Sequence, residues 1–427
     1  MKLSKFLLAG LVAATSFTVS AESILIKNAK IHTLGSQGTL QQSDVFINNG
    51  KIISVGKKLT NSADRVIDAT DKVVTPGIFA VANSLGLAEI DALNQTVDSV
   101  TNDEMSGASF NLDEAFNPNS TLIPHNRVNG VTRTLVSPAY SSVHLVYGQG
   151  SIMSLNGNYN PLIKSAVAIF GSYGESGSGR VGGSRATALK ELQTLLDEAR
   201  EYADNYEAIF AGEYRELGFS IDDLKAMQDV LNRNTPLVMS VNRASDIMTL
   251  LRFAKKNSIR LVLKGAAEGW MVAKEIAAAN VPVLIDPLDN IPRSFEALGQ
   301  RIENSSLMNK AGVELMFLGP GFQNTHNAHT VRHSAGVAVS YGMPYEAALK
   351  AFTATPAKVF GSDTSYGKIM SGYDAELVVW DGDPLEVTTS AVSVIIDGEL
   401  VNMATKSKRL RDRYKDISTD KNTAYRK

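Results

Sequence analysis

The sequence predicts an α/β protein: a distorted (β/α)8, TIM-like barrel with a small composite β-sandwich domain formed by both ends of the mature chain. Three observations lead there. From residue 78 to residue 318, short apolar runs recur with helical stretches between most of them, and strands alternating with helices imply parallel pairing through crossovers. The runs are apolar on both faces, as in a sheet covered on both sides. Ile- and Val-rich segments also occur before and after this region, and the later ones read as the missing strands of a sheet begun by the earlier ones.

Residues 1–21 read as a secretory leader. Lys2 and Lys5 give the charged start, residues 6–14 a short apolar run, and Val19-Ser20-Ala21 a small-residue cleavage site. The run is too short to span a bilayer, so the expectation is a periplasmic or secreted protein with no membrane association after cleavage. Losing both leader lysines, with no acid beside them, takes the formal charge from −2 to −4. No basic stripe interleaved with aromatics occurs, so no nucleic-acid partner is expected. The chain has no cysteine, which rules out disulfides, thiolate metal ligands, a cysteine nucleophile and a lipoprotein anchor.

Residues 24–32, 43–49 and 51–55 predict a small antiparallel sheet with Asn48-Asn49-Gly50 as a hairpin turn. Residues 66–70 and 72–74 lead into Thr75-Pro76-Gly77. Barrel strands are then expected at 78–82, 131–136, 165–170, 236–241, 259–263, 281–285 and 314–318, with helices over 184–202, 220–231, 244–256 and 267–279. Seven or eight such units over about 290 residues suit an eightfold barrel. Strand character returns at 375–380, 392–396 and 399–401. The resulting division is a sandwich from 22–73 and 361–405, a barrel over 74–360, and a charged tail over 406–427 that begins as a surface helix.

Several motifs point to a family. Thr75-Pro-Gly-Ile-Phe-Ala-Val-Ala-Asn-Ser-Leu-Gly-Leu87 follows Gly50-Lys-Ile-Ile-Ser-Val-Gly56 and Val66-Ile-Asp-Ala-Thr-Asp71, and Asn129-Gly-Val-Thr132 comes next. Asn242-Arg-Ala-Ser-Asp-Ile247 and Gly265-Ala-Ala-Glu268 lie further on. Near the end stand Thr353-Ala-Thr-Pro-Ala-Lys358, Gly367-Lys-Ile-Met-Ser-Gly372 and Asp374-Ala-Glu-Leu-Val-Val-Trp-Asp-Gly-Asp-Pro384. Over nearly the whole mature chain this set resembles the amidohydrolase superfamily, and most closely its secreted branch related to imidazolonepropionases. The resemblance implies hydrolysis of carbon-nitrogen bonds in amides or cyclic amides by one or two divalent metals.

The metal positions depart from that pattern. Where the family carries an aspartate and two histidines on its first barrel strand, this chain has Ala80, Ala82 and Ser84. Ser240 replaces the fifth-strand histidine, Lys264 the sixth-strand histidine, and Gly321 the aspartate after the eighth strand. The family reaction needs a metal to lower the pKa of bound water from 15.7 to about 7, and a carboxylate to move the proton. Alanine and glycine offer no donor and a serine hydroxyl is a weak one. Lys264 places an ammonium where the metal would be, and the expectation is that it pairs with Glu268 or Asp286. As weaker catalytic candidates, Lys264 and Glu268 allow a general-base or Schiff-base mechanism.

Other candidates carry alternative readings. His326, His329 and His333 have spacings of three and four, which on one helix put three imidazoles on one face, as a displaced site for zinc or another divalent metal. The bland reading is a polar helix start. Gly177-Ser-Gly-Arg-Val-Gly182 fits G-x-G-x-x-G, but a long helix follows where a second strand is required, so a flexible loop or lid over 171–183 is expected instead of a phosphate cradle. Glu89, Asp91, Asp286 and Asp289 are possible strand-end carboxylates. The expected protein is thus a metal-free, degenerate amidohydrolase relative, without a cofactor, acting as a small-molecule-binding protein or as a subunit of a homo-oligomer or of an intact paralogue. The alternative is an active hydrolase using the three histidines or Lys264.

Overall fold

The computed structural model describes residues 22–321 and 323–415. The expected leader and the end of the tail lie outside the described residues. The chain opens with β1 (Ile24–His32), β2 (Thr39–Asn48) and β3 (Lys51–Gly56), which pair antiparallel in sequence. Asn49 and Gly50 take φ of 50° and 74°, the left-handed pair that a tight turn between right-twisted strands requires. β4 (Arg65–Asp68) and β5 (Val73–Pro76) both run parallel to β1, the first along Ile24–Lys27 and the second along Lys30–Ile31.

The barrel sheet follows: β6 (Ile78–Asn83), β7 (Val131–Val136), β8 (Val146–Ser154), β9 (Leu162–Ser172), β10 (Leu237–Val241), β11 (Leu261–Gly265), β12 (Val283–Ile285) and β13 (Leu315–Phe317), hydrogen-bonded in that order. The expectation of uniformly parallel strands needs correction. β8 is absent from the predicted runs and runs antiparallel to both β7 and β9. No helix lies between β7 and β8 or between β8 and β9, and without a crossover the chain can only reverse direction. The remaining neighbours in the barrel are parallel.

Closure between β13 and β6 uses two devices. Residues 351 and 352 bridge the two strands: Phe317 N, at the end of β13, donates to Ala351 O at 2.8 Å, and Phe79 N, near the start of β6, donates to Phe352 O at 2.9 Å. At the carboxyl ends, the Asn324 amide accepts from Gly319 N at 2.9 Å and donates to Ala82 O at 3.0 Å.

Period-two alternation decides what points inward. Phe79, Val81, Leu135, Val238, Val262, Leu284 and Met316 form the barrel core, while Leu237, Met239, Leu261 and Leu263 join the outer cluster beneath the helices. Helix Arg185–Asp204, capped by the Ser184 hydroxyl, and helix Ala244–Asn257 supply much of that cover. The helix expected over 220–231 is split into Ile221–Ala226 and Gln228–Leu231, and the one over 267–279 begins with a 3-10 turn, Gly269–Val272. The second sheet is completed by β14 (Leu377–Trp380), β15 (Ala391–Ile396) and β16 (Glu399–Leu400), entering through β14 alongside β5. Helix Lys406–Tyr414 starts the tail with every residue exposed.

The two sheets meet at Pro76-Gly77. Gly77 N donates to Glu376 O at 2.9 Å, and Gly77 O accepts from the Tyr366 hydroxyl at 2.9 Å. The same hydroxyl is 2.8 Å from Thr132 Oγ1 on β7. Arg133, next on β7, reaches Glu376 at 2.6 Å and Asp374 at 2.7 Å, with its guanidinium 4.3 Å above the Tyr366 ring. Arg133 and Glu376 are 4% and 1% exposed, so neither can be hydrated if its partner is removed. A Cβ on Gly77 would lie 2.2 Å from Thr132 Oγ1.

Two substitutions test this seam. Gly77→Ala should cost about 1–3 kcal/mol by overpacking. Arg133→Met should cost about 3–5 kcal/mol, the usual penalty for breaking a buried pair from one side. Denaturant midpoints measure both, and an unchanged midpoint for Arg133→Met would show that the pair adds nothing to the joint.

Candidate functional site

At the carboxyl ends of the strands the interior alternation leaves a cavity of about 510 Å³. Ser240, Lys264, Asp286 and Leu318 line it, each two residues beyond an inward core residue, Val238, Val262, Leu284 and Met316 respectively. Ala82, Ser84 and Gly321 line it as well. Five of the six positions at which the family pattern is altered therefore face one space, while Ala80 packs in the outer cluster.

Local geometry explains how they arrive there. Ala82 has φ of 50°, and the β6–β7 register shifts between Val81 and Asn83. This bulge turns the end of β6 inward, where Asn324 takes the freed carbonyls of Val81 and Ala82. Ser84 N donates to Thr325 Oγ1 at 3.1 Å. Ser240 and Lys264 are direct partners on β10 and β11. Gly321, with φ of 47°, donates its N–H to Asp286 Oδ2 at 2.9 Å.

Lys264 does not pair as expected. Among the described residues no carboxylate lies within 4 Å of its ammonium. Glu268 instead accepts from Ala244 N at 2.9 Å and Gly299 N at 3.2 Å. The Asp286 carboxylate is taken by Leu288 N and Gly321 N. Burial pushes Asp286 above the ordinary carboxyl range, against the pull of those two N–H donors. Asp289 lies at the exposed rim, 3.9 Å from Arg293.

A divalent metal does not fit this donor set. Zinc takes imidazole, thiolate or carboxylate, and the harder cations want several oxygens. The cavity lining holds no imidazole or thiolate: its carboxylates are Asp286, whose oxygens already accept N–H groups, and Asp289 at the exposed rim, and its other side-chain donors are hydroxyls and amides alongside the Lys264 ammonium. Among the described residues no three His, Cys, Asp or Glu side chains are grouped to hold a metal.

The histidine cluster also needs correction. His326, His329 and His333 lie in three successive short elements, Gln323–His326, Ala328–Thr330 and Val331–Ser340, and not on one helix. Each finds different surroundings. His326 Nδ1 is 3.4 Å from Asp91, and His329 Nδ1 is 3.1 Å from Asn126 with its ring edge-on to His125 at 5.0 Å. His333 Nε2 is buried without a partner. Burial, with neighbouring imidazoles and Arg332, depresses His329 to about 3, and burial and Arg332 depress His333 to about 4.

The glycine-rich stretch is anchored. Glu175–Ser178 is a helical turn with Gly177 and Ser178 buried; Glu175 N donates to Glu296 at 2.7 Å. A Cβ on Gly177 would meet Ser172 O at 2.3 Å, so this glycine serves close packing. Glu89 is held by Asn117 and Thr121. Asn324, which lines the cavity, stands in none of the motifs, and Asn242 opens one without being marked as a site residue, because an asparagine becomes a site residue only once the chain is folded around it.

Comparison with known proteins agrees with this geometry. A family model described as "Amidohydrolase family" matches residues 312–402. A solved amidohydrolase from Thermotoga maritima superposes with a TM-score of 0.79 at 25% identity, over 89% of this chain and 99% of that one. The chain belongs to the amidohydrolase superfamily. A triazine hydrolase from Arthobacter aurescens, 16% identical with a TM-score of 0.53 over 92% of this chain and 98% of that one, shares the fold. Curated relatives match over short stretches. Amidohydrolase tasK of Hapsidospora irregularis is 47% identical over 72 residues, 17% of this chain and 7% of that protein. A 5-methylthioadenosine/S-adenosylhomocysteine deaminase of Thermococcus sibiricus is 47% identical over 57 residues, 13% of each.

The histidines of this superfamily member make stability depend on pH. In the folded chain His329 and His333 stay neutral, while unfolded histidines take a proton near 6.5. The unfolded state therefore binds more protons below that pH, so their contribution is complete above about 6.5 and is lost as pH falls toward 4. Thermal midpoints between pH 8 and pH 5 should fall, and His329→Asn should flatten the slope.

Proposed function

We propose that this chain is a ligand-binding amidohydrolase relative in which an ammonium has taken the place of the metal, so that the barrel mouth holds a small molecule through an anionic group at Lys264. The observation that carries this reading is a lysine with no carboxylate within 4 Å in a polar cavity, beside Ser240 and across from Asp286. A partly buried cation without an internal carboxylate favours an anion supplied from outside. The volume of about 510 Å³ suits a metabolite-sized ligand. The family resemblance adds amide-like or cyclic-amide character to the expected ligand.

Catalysis by Lys264 finds no support in its surroundings. Among the described residues no hydrogen bond joins it to a base, and Glu268, the other candidate, is committed to two backbone donors. Hydrolysis through the three histidines lacks a shared face on which to hold a metal.

Elemental analysis of protein purified without chelators tests the reading first: zinc, iron and manganese should be far below stoichiometric, and about one per chain would overturn it. In thermal-shift titrations, a small carboxylate should stabilise the native chain, by about 2.7 kcal/mol at a hundred times its Kd. Lys264→Met should remove that stabilisation while preserving the unliganded fold.

A further inference from the structure

A second cavity, of about 480 Å³, opens at the other end of the barrel, in the crevice between the barrel and the second sheet. Its position follows from its walls. Glu314 immediately precedes β13, at the amino end of the strands, whereas the mouth cavity lies beyond their carboxyl ends. The facing wall is built by the turn after β1 and by Met370 and Tyr373 ahead of β14.

Three lysines from three separate segments converge on this crevice. Lys350 ends helix Tyr345–Lys350, Lys358 belongs to helix Ala354–Val359, and Lys368 is in the loop leading to the second sheet. Lys358 Nζ is 2.7 Å from Glu314 Oε1. Among the described residues, Lys350 and Lys368 have no carboxylate within 4 Å, and neither they nor the Thr355 hydroxyl make a side-chain hydrogen bond. Three ammoniums against one carboxylate leave the crevice with a net charge of +2. The last turn of a helix favours a cation and accounts for Lys350 singly. It does not account for a second unpaired lysine brought to the same crevice from outside that helix.

We propose that this crevice is an anion site that takes the phosphoryl group of a small molecule, held by Lys350, Lys358 and Lys368 with Thr355 as a hydroxyl donor. A phosphoryl group fits better than a monocarboxylate on two counts. It brings a charge of about −1.5 to −2 and three acceptor oxygens, against a net charge of +2 and a ring of separate donors. Lysine meets phosphate as a point charge, a role it commonly fills. A ligand here would touch loops and helices that flank both sheets, and seams of this kind are common sites for small molecules.

The test is calorimetric titration of the full mature chain with inorganic phosphate, at ionic strength held constant with sodium chloride. A single saturable isotherm is expected. Lys350→Met/Lys368→Met should weaken it by about tenfold or more, while Lys255→Met/Lys274→Met, changed at exposed sites elsewhere, should leave it unaltered. Lys368→Gln alone, in a loop, provides a weakened variant should the double substitution fail to fold. Absence of saturation at constant ionic strength, or equal affinity in the native chain and the crevice variants, would overturn the assignment.

Discussion

The buried pairing of Arg133 with Glu376 and Asp374 is the interaction on which the arrangement of the two sheets depends. It joins β7 of the barrel to the residues just ahead of β14, beside the turn at Gly77. Burial alone would lower the Arg133 guanidinium, but Glu376, the Tyr366 ring and Asp374 outweigh it and keep the group charged. Burial raises the Glu376 carboxyl to about 7 despite the pull of Arg133. Such a pair is costly to desolvate, and what it secures is register. Removing either partner would strand the other charge in the interior, so the pairing favours the alignment in which both charges are met.

That docking sets the geometry at both ends of the barrel. The Gly77 turn launches β6, whose other end bulges at Ala82 and is caught by Asn324 to close the ring. Inward alternation along the strands then decides which side chains reach the mouth, whatever their chemistry. The family frame continues to gather five positions into one cavity even though the residues there are alanine, two serines, lysine and glycine. Packing and a buried ion pair hold this frame from within the chain, in contrast to small domains in which metal binding is the folding free energy.

How much of this was legible in the sequence follows from how local each signal is. The runs at 24–32 and 131–136 coincide with β1 and β7 because an unbroken apolar or alternating pattern is written in consecutive residues. β8 escaped because Gly148, Gln149 and Gly150 interrupt its apolar pattern, although Asn156-Gly157 after it was a readable turn. The altered site positions were legible only through the resemblance of the surrounding motifs to the family's. The partners of Lys264 were not, since Glu268 is claimed by Ala244 N and Gly299 N, and no spacing rule says which backbone donors will fold onto a carboxylate. The three histidines show the same limit: spacings of three and four align rings only if one helix continues through them, and here the backbone passes from α to 3-10 and back.

The stretch matched by the family model, residues 312–402, includes Tyr366, Asp374, Glu376 and Trp380. These are the groups that build the seam: Tyr366 on Gly77 and Thr132, the acids on Arg133, and the Trp380 indole donating to Thr75 Oγ1 at 2.9 Å. Ala82, Ser84, Ser240 and Lys264 fall outside that stretch. Similarity measured over it therefore reports the joint between sheets, which any protein with this architecture must satisfy, and is blind to most of the mouth, where a reaction or a ligand is chosen. That separation is why the same chain can match the family over residues 312–402 and still present, at the mouth, Lys264 with no carboxylate within 4 Å among the described residues.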